Sequence, residues 1–345
     1  MKALTYQGPG KKQWSEIPTP VVNKPTDAII RILHTTICGT DLHILKGDVP
    51  EVTAGRVLGH EGVGVVEEVG SAVRNFKKGD HVLISCITSC GSCANCRRQM
   101  YSHCADGGWI LGHLIDGTQA QYVRIPHADN SLYPVPSGAD EEALVMLSDI
   151  LPTGFEIGVL AGKVKPGDSV VIVGAGPVGM AALLTAQFYS PATLIVVDGD
   201  SNRLDVAKRF GATHVIDIKT ENAVERILQL TDGVGVDVAI EAVGIPASFD
   251  TCQSVISPGG TIANVGVHGK SVELHLEKLW IQNVNISTGL VNTNTTPMLL
   301  KTLQSGKIDA GQLITHRFAL NDILKAYEVF GNAAQEKAMK VILTQ

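Results

Sequence analysis

Residues 169–179 read SVVIVGAGPVG, in which an apolar run ends in the spacing G-x-G-x-x-G. This order predicts a buried strand, a tight turn and the first turn of a helix. The first glycine allows the turn, the second lets a phosphate approach the backbone, and the third lets the helix pack closely on the strand. The segment therefore predicts a dinucleotide site at a helix N-terminus. The predicted contact residues are Gly174, Gly176, Pro177, Val178 and Gly179.

An acidic residue follows the next apolar run. Residues 193–197 read TLIVV, and Asp198 comes nineteen residues after Gly179. A carboxylate at this place accepts hydrogen bonds from ribose hydroxyls and repels a 2′-phosphate, so Asp198 favours NAD over NADP. The alternative is that Asp198 caps the following helix, a role that Asp200 or Ser201 could also take.

Strand and helix patterns continue to alternate beyond Asp198. Helices are predicted at residues 201–210, 223–230 and 249–256, a turn at 257–260, and strands at 214–218, 236–241, 261–267 and about 284–290. Six parallel strands with right-handed crossovers form a doubly wound Rossmann sheet of the α/β class. We expect this domain at residues 155–290.

The composition limits the class of protein. The 345 residues are 44% hydrophobic and 18% charged, enough for two cores of ordinary size. A net charge of -6 without a basic stripe argues against a nucleic-acid partner. No apolar run approaches the ~18 residues that span a bilayer. With seven cysteines and no apolar leader, we expect a cytoplasmic protein without a membrane partner.

Four cysteines lie close together at Cys90, Cys93, Cys96 and Cys104, with gaps of two, two and seven residues. This spacing lets four thiolates converge on one tetrahedral Zn²⁺. Such a site has no open position, so the metal would hold a loop and take no part in chemistry. Disulfides and free buried thiols are the alternatives, but an odd number of cysteines cannot all pair. We expect a structural zinc lobe at about residues 86–106.

The N-terminal region is predicted to be a compact β-barrel-like domain, because its strands are short and its turns rich in glycine, as in residues 59–70. Within it, residues 38–43 read CGTDLH and residues 59–61 read GHE. These two motifs supply a thiol, two imidazoles, a hydroxyl and two carboxylates. We expect a second metal there.

The order and spacing of these motifs resemble the zinc-dependent medium-chain alcohol dehydrogenases, and the resemblance covers essentially the whole chain. Residues 147–156, LSDILPTGFE, are similar to the secondary-alcohol branch of that family, in which aspartate replaces cysteine as the third zinc ligand. The resemblance implies a GroES-like β-barrel catalytic domain at residues 1–154 and 291–345. The Rossmann domain would be an insertion between these two parts, with the active site in the cleft.

The resemblance also implies a catalytic zinc bound by Cys38, His60 and Asp149, with Glu61 as an alternative ligand. This donor set leaves the fourth position for a substrate oxygen. Zinc would act as a Lewis acid while hydride passes between the alcohol and NAD. A structural alternative makes Asp149 a helix cap and His60 a buried, hydrogen-bonded histidine.

Further roles follow from the resemblance alone. Thr40 matches a relay hydroxyl and His43 the exit of the proton to solvent, although His43 could be a plain exposed histidine. Cofactor contacts are implied for Thr153, Arg203, Val265, Gly266, Val267 and Lys340, the last at the pyrophosphate. The implied substrate pocket consists of Thr40, Ser85, Trp109 and Leu290.

No arginine or lysine is obviously placed to clamp an anionic substrate, so we expect uncharged primary or secondary alcohols with their aldehydes or ketones. A polyol or threonine dehydrogenase is the alternative enzyme. A zinc- and dinucleotide-binding scaffold or redox sensor is the non-enzymatic alternative. The family implies two Zn²⁺ per chain and a homo-oligomer, a tetramer by our prediction, with a dimer as the alternative. Cys252 has no assigned role, and Cys86 could line the pocket or be a buried thiol.

Overall fold

The computed structural model describes all 345 residues. Its strands are β1 (Lys2–Tyr6), β2 (Lys12–Glu16), β3 (Ala28–Thr36), β4 (Gly62–Val69), β5 (His81–Ile84), β6 (Tyr122–Ile125), β7 (Leu132–Pro134), β8 (Ser169–Val173), β9 (Thr193–Asp198), β10 (His214–Asp217), β11 (Val236–Glu241), β12 (Ile256–Asn264), β13 (Asn285–Thr288), β14 (Ile314–Ala319) and β15 (Lys340–Thr344).

Its α-helices are α1 (Gly39–Lys46), α2 (Ala94–Arg97), α3 (Ala128–Ser131), α4 (Glu141–Val145), α5 (Ile150–Thr153), α6 (Pro177–Ala186), α7 (Ser201–Arg209), α8 (Ala223–Leu230), α9 (Pro246–Val255), α10 (Leu276–Leu279), α11 (Thr296–Gln304), α12 (Ile323–Gly331) and α13 (Ala333–Glu336). A π-helical segment, Gly154–Leu160, follows α5. Short 3₁₀ helices occupy Tyr101–His103, Gln187–Tyr189, Trp280–Gln282, Ala310–Leu313 and Leu320–Asp322. No helix is both long enough and apolar enough to cross a membrane.

The chain divides into two compact units, Met1–Asp149 with Asn292–Gln345, and Ile150–Val291. The first division lies five residues before the predicted one. Helix α5 and the π-helical segment belong to the second unit because they pack on α6. Gly154 permits this contact, since a Cβ there would lie 2.6 Å from the backbone nitrogen of Ala182.

The second unit contains one six-stranded sheet in the order β10-β9-β8-β11-β12-β13, and every pairing in it is parallel. Strand β8 lies inside the sheet, and its residues 170–173 are buried. A continuously apolar strand is what a parallel sheet with helices on both faces requires. The doubly wound sheet predicted from the sequence is confirmed.

The turn predicted at residues 257–260 is not a separate connection, which corrects that prediction. These residues lie within β12, where the register changes: Val236 pairs with Ile256, whereas Val238 pairs with Thr261. Pro258 and Gly259 are exposed. The chain therefore bulges outward at these two residues and then continues the same strand, because the buried residues on either side keep their place in the sheet.

The first unit is built on a seven-stranded sheet in the order β14-β15-β3-β4-β5-β7, with β6 also paired to β3. Strands β1 and β2 form a separate antiparallel pair. Strand β15 pairs with the end of β3, Ile342 opposite Thr36. The C-terminal residues thus return to the N-terminal sheet, directly before the segment that carries Cys38. The predicted combination of a β-rich domain in two chain segments with a doubly wound parallel sheet between them is confirmed.

Candidate metal centres and cofactor turn

Three segments of the first unit converge on one buried cluster of metal-binding side chains. Cys38 follows β3 and caps α1, His60 precedes β4, and Asp149 precedes α5. The ligand atoms of these residues and of Glu61 all lie within 4.8 Å of one another. Asp149 Oδ2 is 3.3 Å from His60 Nε2 and 3.7 Å from Cys38 Sγ. The structure therefore brings together the residues that the resemblance implies as zinc ligands.

The electrostatics of this cluster favour a cation. Burial alone would lower the pKa of His60, but hydrogen bonds with Asp149 and Cys38 raise it well above its usual range. The Asp149 and Cys38 side chains that raise this pKa would also attract a metal cation. Sulfur, nitrogen and carboxylate oxygen are the donor types that Zn²⁺ takes in proteins. The residues present thus fit a zinc ion.

The backbone at Cys38 is held by a buried polar network that sequence reasoning missed. Asp41 Oδ2 accepts hydrogen bonds at 2.9 Å from both Cys38 N and Gln119 Nε2. Gln119 Oε1 in turn accepts one at 2.8 Å from the hydroxyl of Tyr327. Asp41 lies in the quoted motif, but no local pattern marks Gln119 or Tyr327. Only the return of the C-terminal residues to the first unit brings Tyr327 close.

Lys340 has a buried partner that the resemblance did not imply. Its ammonium is 1% exposed and donates to Glu61 Oε1 at 2.8 Å and Oε2 at 3.1 Å. Burial alone would lower the pKa of Lys340, but the neighbouring Glu61 and Cys38 raise it. The implied contact of Lys340 with a pyrophosphate stays a prediction. In this structure Lys340 is the counter-ion of the Glu61 carboxylate beside the cluster.

The relay residues both lie on α1. Thr40 Oγ1 is 3.7 Å from Cys38 Sγ and is half-buried. His43 is partly exposed, and its Nδ1 is 2.8 Å from Asp48 Oδ2. Their spacing of three residues places both side chains on one face of the helix. One side chain therefore lies at the cluster and the other meets solvent.

The structure corrects the pocket role that was implied for Ser85. It is 1% exposed, and its Oγ lies 3.0 Å from Thr293 Oγ1 and accepts a hydrogen bond from Ile87 N at 3.1 Å. The hydroxyl therefore stabilises local structure and does not face an open space. Trp109 stacks on His113 with ring centroids 4.4 Å apart, a partner that the sequence did not indicate. Leu290 is exposed and belongs to the second unit.

The four-cysteine lobe forms a second cluster. The sulfurs of Cys90, Cys93, Cys96 and Cys104 lie within 4.8 Å of one another, and Cys90 Sγ is 4.0 Å from Cys96 Sγ. Tetrahedral Zn²⁺ with Zn–S bonds of about 2.3 Å separates its ligand atoms by about 3.8 Å. No disulfide is present among these cysteines. The spacing of the sulfurs thus fits a closed zinc site.

Backbone N–H groups point at sulfurs of this cluster, and at Cys90 they favour the thiolate form. Cys90 N donates to Cys104 Sγ at 3.2 Å, and Cys93 N donates to Cys90 Sγ at 3.4 Å. Burial opposes ionisation of Cys90, but hydrogen bonds from Ser92 and Cys93 lower its pKa to about 6. The thiolate is the form that binds metal, so Cys90 is the cysteine of the loop that is best prepared for a cation.

The glycine turn of the second unit has the geometry that each glycine position predicts. Gly174 has φ 106°, which favours glycine. A Cβ on Gly179 would overlap the carbonyl oxygen of Gly174. At Gly176 a Cβ would meet nothing closer than Arg203 Nη1 at 4.0 Å, so the space before the N-terminus of α6 is open. Pro177 occupies the first turn of α6, where its missing N–H costs no hydrogen bond.

Asp198 lies at the end of β9 beside this turn. Its Oδ2 accepts a hydrogen bond from Ala175 N at 2.7 Å, and its Oδ1 accepts one from Asp200 N at 2.8 Å. Helix α7 is capped by Asp200, which accepts from Asn202 N at 2.9 Å. The capping role that competed for Asp198 therefore belongs to Asp200.

The remaining cofactor residues also lie in the second unit. Thr153 ends α5, and Val267 is 64% exposed. The N–H groups of Val265 and Gly266 donate to the carbonyl of Glu241 at 2.8 and 3.0 Å, which bends the chain after β12.

A parallel sheet with a glycine turn, joined to a β-rich unit with two metal-binding clusters, defines a zinc-binding dinucleotide dehydrogenase. Residues 24–137 match the alcohol dehydrogenase GroES-like domain, and residues 177–305 match the zinc-binding dehydrogenase domain. An alcohol dehydrogenase of Cupriavidus necator is 36% identical and aligns with 96% of this chain and 95% of its own. The chain belongs to the zinc-dependent medium-chain alcohol dehydrogenase family.

Two further relatives are also named as alcohol dehydrogenases. The solved structure of zinc dependent alcohol dehydrogenase 2 from Streptococcus pneumonia, in its apo form, is 61% identical, with a TM-score of 0.96 over 100% of this chain and 98% of its own. A probable NADP-dependent isopropanol dehydrogenase of Mycoplasma pneumoniae is 36% identical over 92% of each chain. This chain is therefore similar to alcohol dehydrogenases along nearly its whole length.

Proposed function

We propose that this chain is an alcohol dehydrogenase that transfers hydride reversibly between an uncharged alcohol and NAD. The observation that carries the proposal is the convergence of Cys38, His60 and Asp149 from three distant segments on one buried cluster. A structural role alone would not require a thiol, an imidazole and a carboxylate at mutual metal-binding distance. The family to which the chain belongs supplies the reaction class.

Each side chain then has a chemical role. Cys38, His60 and Asp149 would hold Zn²⁺, which when bound supplies a Lewis acid for the substrate oxygen. The Thr40 hydroxyl beside Cys38 accepts the substrate proton as it releases its own, and His43 passes a proton on to solvent. In the cysteine lobe, four sulfurs would hold a second, structural Zn²⁺.

The glycine turn supports a dinucleotide at the N-terminus of α6, and NAD supplies the hydride acceptor. Asp198 favours NAD, because its carboxylate beside Ala175 would repel a 2′-phosphate. Arg203, whose guanidinium lies near the Cβ position of Gly176, is the group that could instead attract that phosphate. Both cofactors therefore belong in the assay, with NAD expected to be preferred.

We also propose a homo-oligomer in the cytoplasm, a tetramer assembled from symmetric pairs. Strand β13 is an unpaired edge of the parallel sheet. Leu276, Trp280 and Ile281 nearby in sequence are 58%, 70% and 68% exposed. An unpaired edge with exposed large apolar side chains is a typical self-association surface. A second copy of β13 related by a two-fold axis would cover both.

The first test measures NADH formation with 2-propanol, ethanol, benzyl alcohol, sorbitol and L-threonine, using NAD⁺ and NADP⁺ in parallel. We expect turnover of simple alcohols, two Zn²⁺ per chain by metal analysis, and loss of activity with a chelator. Turnover of sorbitol or threonine alone would overturn the substrate class. One Zn²⁺ per chain without turnover would indicate a scaffold and overturn the enzyme.

The relay is tested with a matched pair of histidines. His43 and His81 are both partly exposed and both lie against a carboxylate, Asp48 and Glu141 respectively. We expect His43→Gln to slow alcohol oxidation about tenfold or more and to leave zinc content unchanged. His81→Gln should turn over at the wild-type rate. Equal rates for the two variants would exclude His43 from the relay.

A further inference from the structure

The two oxygens of Asp149 face different partners. Oδ2 is the oxygen near His60 Nε2 and Cys38 Sγ, at 3.3 and 3.7 Å. Oδ1 lies 3.6 Å from the sulfur of Cys86. One carboxylate thus lies between the metal-binding cluster and the thiol of Cys86, which is outside that cluster.

Cys86 is well placed to act on Asp149. It is 2% exposed, and its backbone N–H donates to the carbonyl of Ser148 at 3.1 Å. The Ser148 hydroxyl accepts a hydrogen bond at 3.0 Å from the N–H of Gly62, the first residue of β4. Ser148, the residue before Asp149, is therefore hydrogen-bonded to both Cys86 and Gly62. These contacts with backbone N–H groups fix the separation between Cys86 and Asp149.

Cys86 is not itself one of the clustered ligands. The group whose ligand atoms all lie within 4.8 Å of one another comprises Cys38, His60, Glu61 and Asp149, without Cys86. An ordinary thiol keeps its proton at neutral pH and is a weak hydrogen-bond donor. Its position and its proton therefore suit a donor to Asp149 Oδ1.

We propose that Cys86 is a positioning residue that donates its S–H to Asp149 Oδ1 and keeps this carboxylate on the metal through Oδ2 alone. Hydrogen bonds to the outer atoms of metal ligands fix ligand orientation. With Oδ1 held away, Asp149 contributes one donor atom and leaves a coordination position for substrate. This inference rests on the proposed function, because it takes the cluster to be the catalytic metal site.

Three variants separate the hydrogen bond from simple packing. Cys86→Ser keeps a donor, Cys86→Val keeps nearly the same volume without one, and Cys86→Ala loses both. If the alanine variant fails to fold, the serine and valine pair still tests the hydrogen bond. Cys252→Ala is the control for loss of a buried thiol, because Cys252 is 0% exposed in the core of the other unit and lies in neither cluster.

The experiment replaces zinc by Co²⁺ in each variant and records the visible absorption of the metal, whose intensity and position report coordination geometry. Metal affinity is measured by competition with a chelator, and KM and kcat with 2-propanol follow on the zinc enzyme. The wild-type metal content and turnover test the proposed function separately. If the wild-type protein binds two metals and turns over, and the Cys86 variants match it in Co²⁺ spectrum, metal affinity and kinetics, this inference alone is overturned.

We expect Cys86→Val and Cys86→Ala to change the Co²⁺ spectrum of the catalytic site and to alter metal affinity by about 10–100-fold. Their kcat should fall more than their KM rises, because the second oxygen of Asp149 would then compete with substrate for the open coordination position. Cys86→Ser should restore the wild-type spectrum, and Cys252→Ala should never lose it. A wild-type spectrum in the valine variant, or a serine variant as impaired as valine, would overturn the role of the S–H group.

Discussion

Gly176→Ala separates the folding role of the glycine turn from its binding role. Gly176 caps α6 with φ -72°, and an added Cβ meets nothing closer than 4.0 Å. Replacing glycine by alanine restricts the unfolded chain and stabilises by about 0.4–1 kcal/mol. Alanine is a poorer N-cap than glycine, which costs an amount of the same order. The free energy of unfolding should therefore change by less than about 1 kcal/mol.

Cofactor binding should respond quite differently. The open space at Gly176 is where a pyrophosphate would approach the N–H groups at the start of α6. A methyl group there would push the phosphate away from at least one donor. A hydrogen bond to a charged group contributes about 1.5–3 kcal/mol. The dissociation constant of NADH should therefore rise about 10- to 150-fold.

The assay is a fluorescence titration with NADH, combined with unfolding in urea. Gly179→Ala is the contrasting variant, because its Cβ would overlap the carbonyl of Gly174 and should destabilise folding by about 1–3 kcal/mol or more. Gly331→Ala, with no atom within 4 Å of its Cβ, is the control for both measurements. Unchanged NADH affinity in Gly176→Ala would refute the placement of the pyrophosphate, and unchanged stability in Gly179→Ala would refute the packing argument.

After zinc is removed, iodoacetamide at neutral pH should label Cys90 well before Cys96, because their pKa values are about 6 and about 12 and only the first is largely thiolate. Peptide mass spectrometry reads the order, and equal rates would contradict it. Lys340→Met should lower the free energy of unfolding by about 3–5 kcal/mol, because it leaves the carboxylate of Glu61 buried without its counter-ion. Adding Glu61→Gln should restore part of this loss, and a double variant as unstable as the single one would argue against the ion pair. Asp198→Asn should raise the NADP⁺ to NAD⁺ ratio of kcat/KM about tenfold, corresponding to about 1.4 kcal/mol of lost repulsion; an unchanged ratio would show that Asp198 does not face the 2′ position.

Short-range patterns were the part of this protein that the sequence could predict. The glycine turn requires only neighbouring backbone angles and the step from strand to helix, all encoded within residues 169–179. The cysteine lobe likewise depends on spacings of a few residues, which local turns convert into convergent sulfurs. The strands and helices of the parallel sheet followed from apolar periodicity, with bounds mostly within one to three residues of those observed.

The tertiary structure decided which residues far apart in sequence become partners. The resemblance implied a phosphate contact for Lys340 and gave no sign of its buried partner. Strand β15 pairs with β3 and carries this ammonium into the interior beside Glu61, 279 residues away in sequence. Cys86 meets Asp149 only because its backbone binds the carbonyl of Ser148. The sequence by itself therefore determined the local motifs and the class of the fold. Packing of distant strands determined the buried charge pair and the thiol at Asp149, because burial selects partners by proximity and by the cost of an unpaired charge.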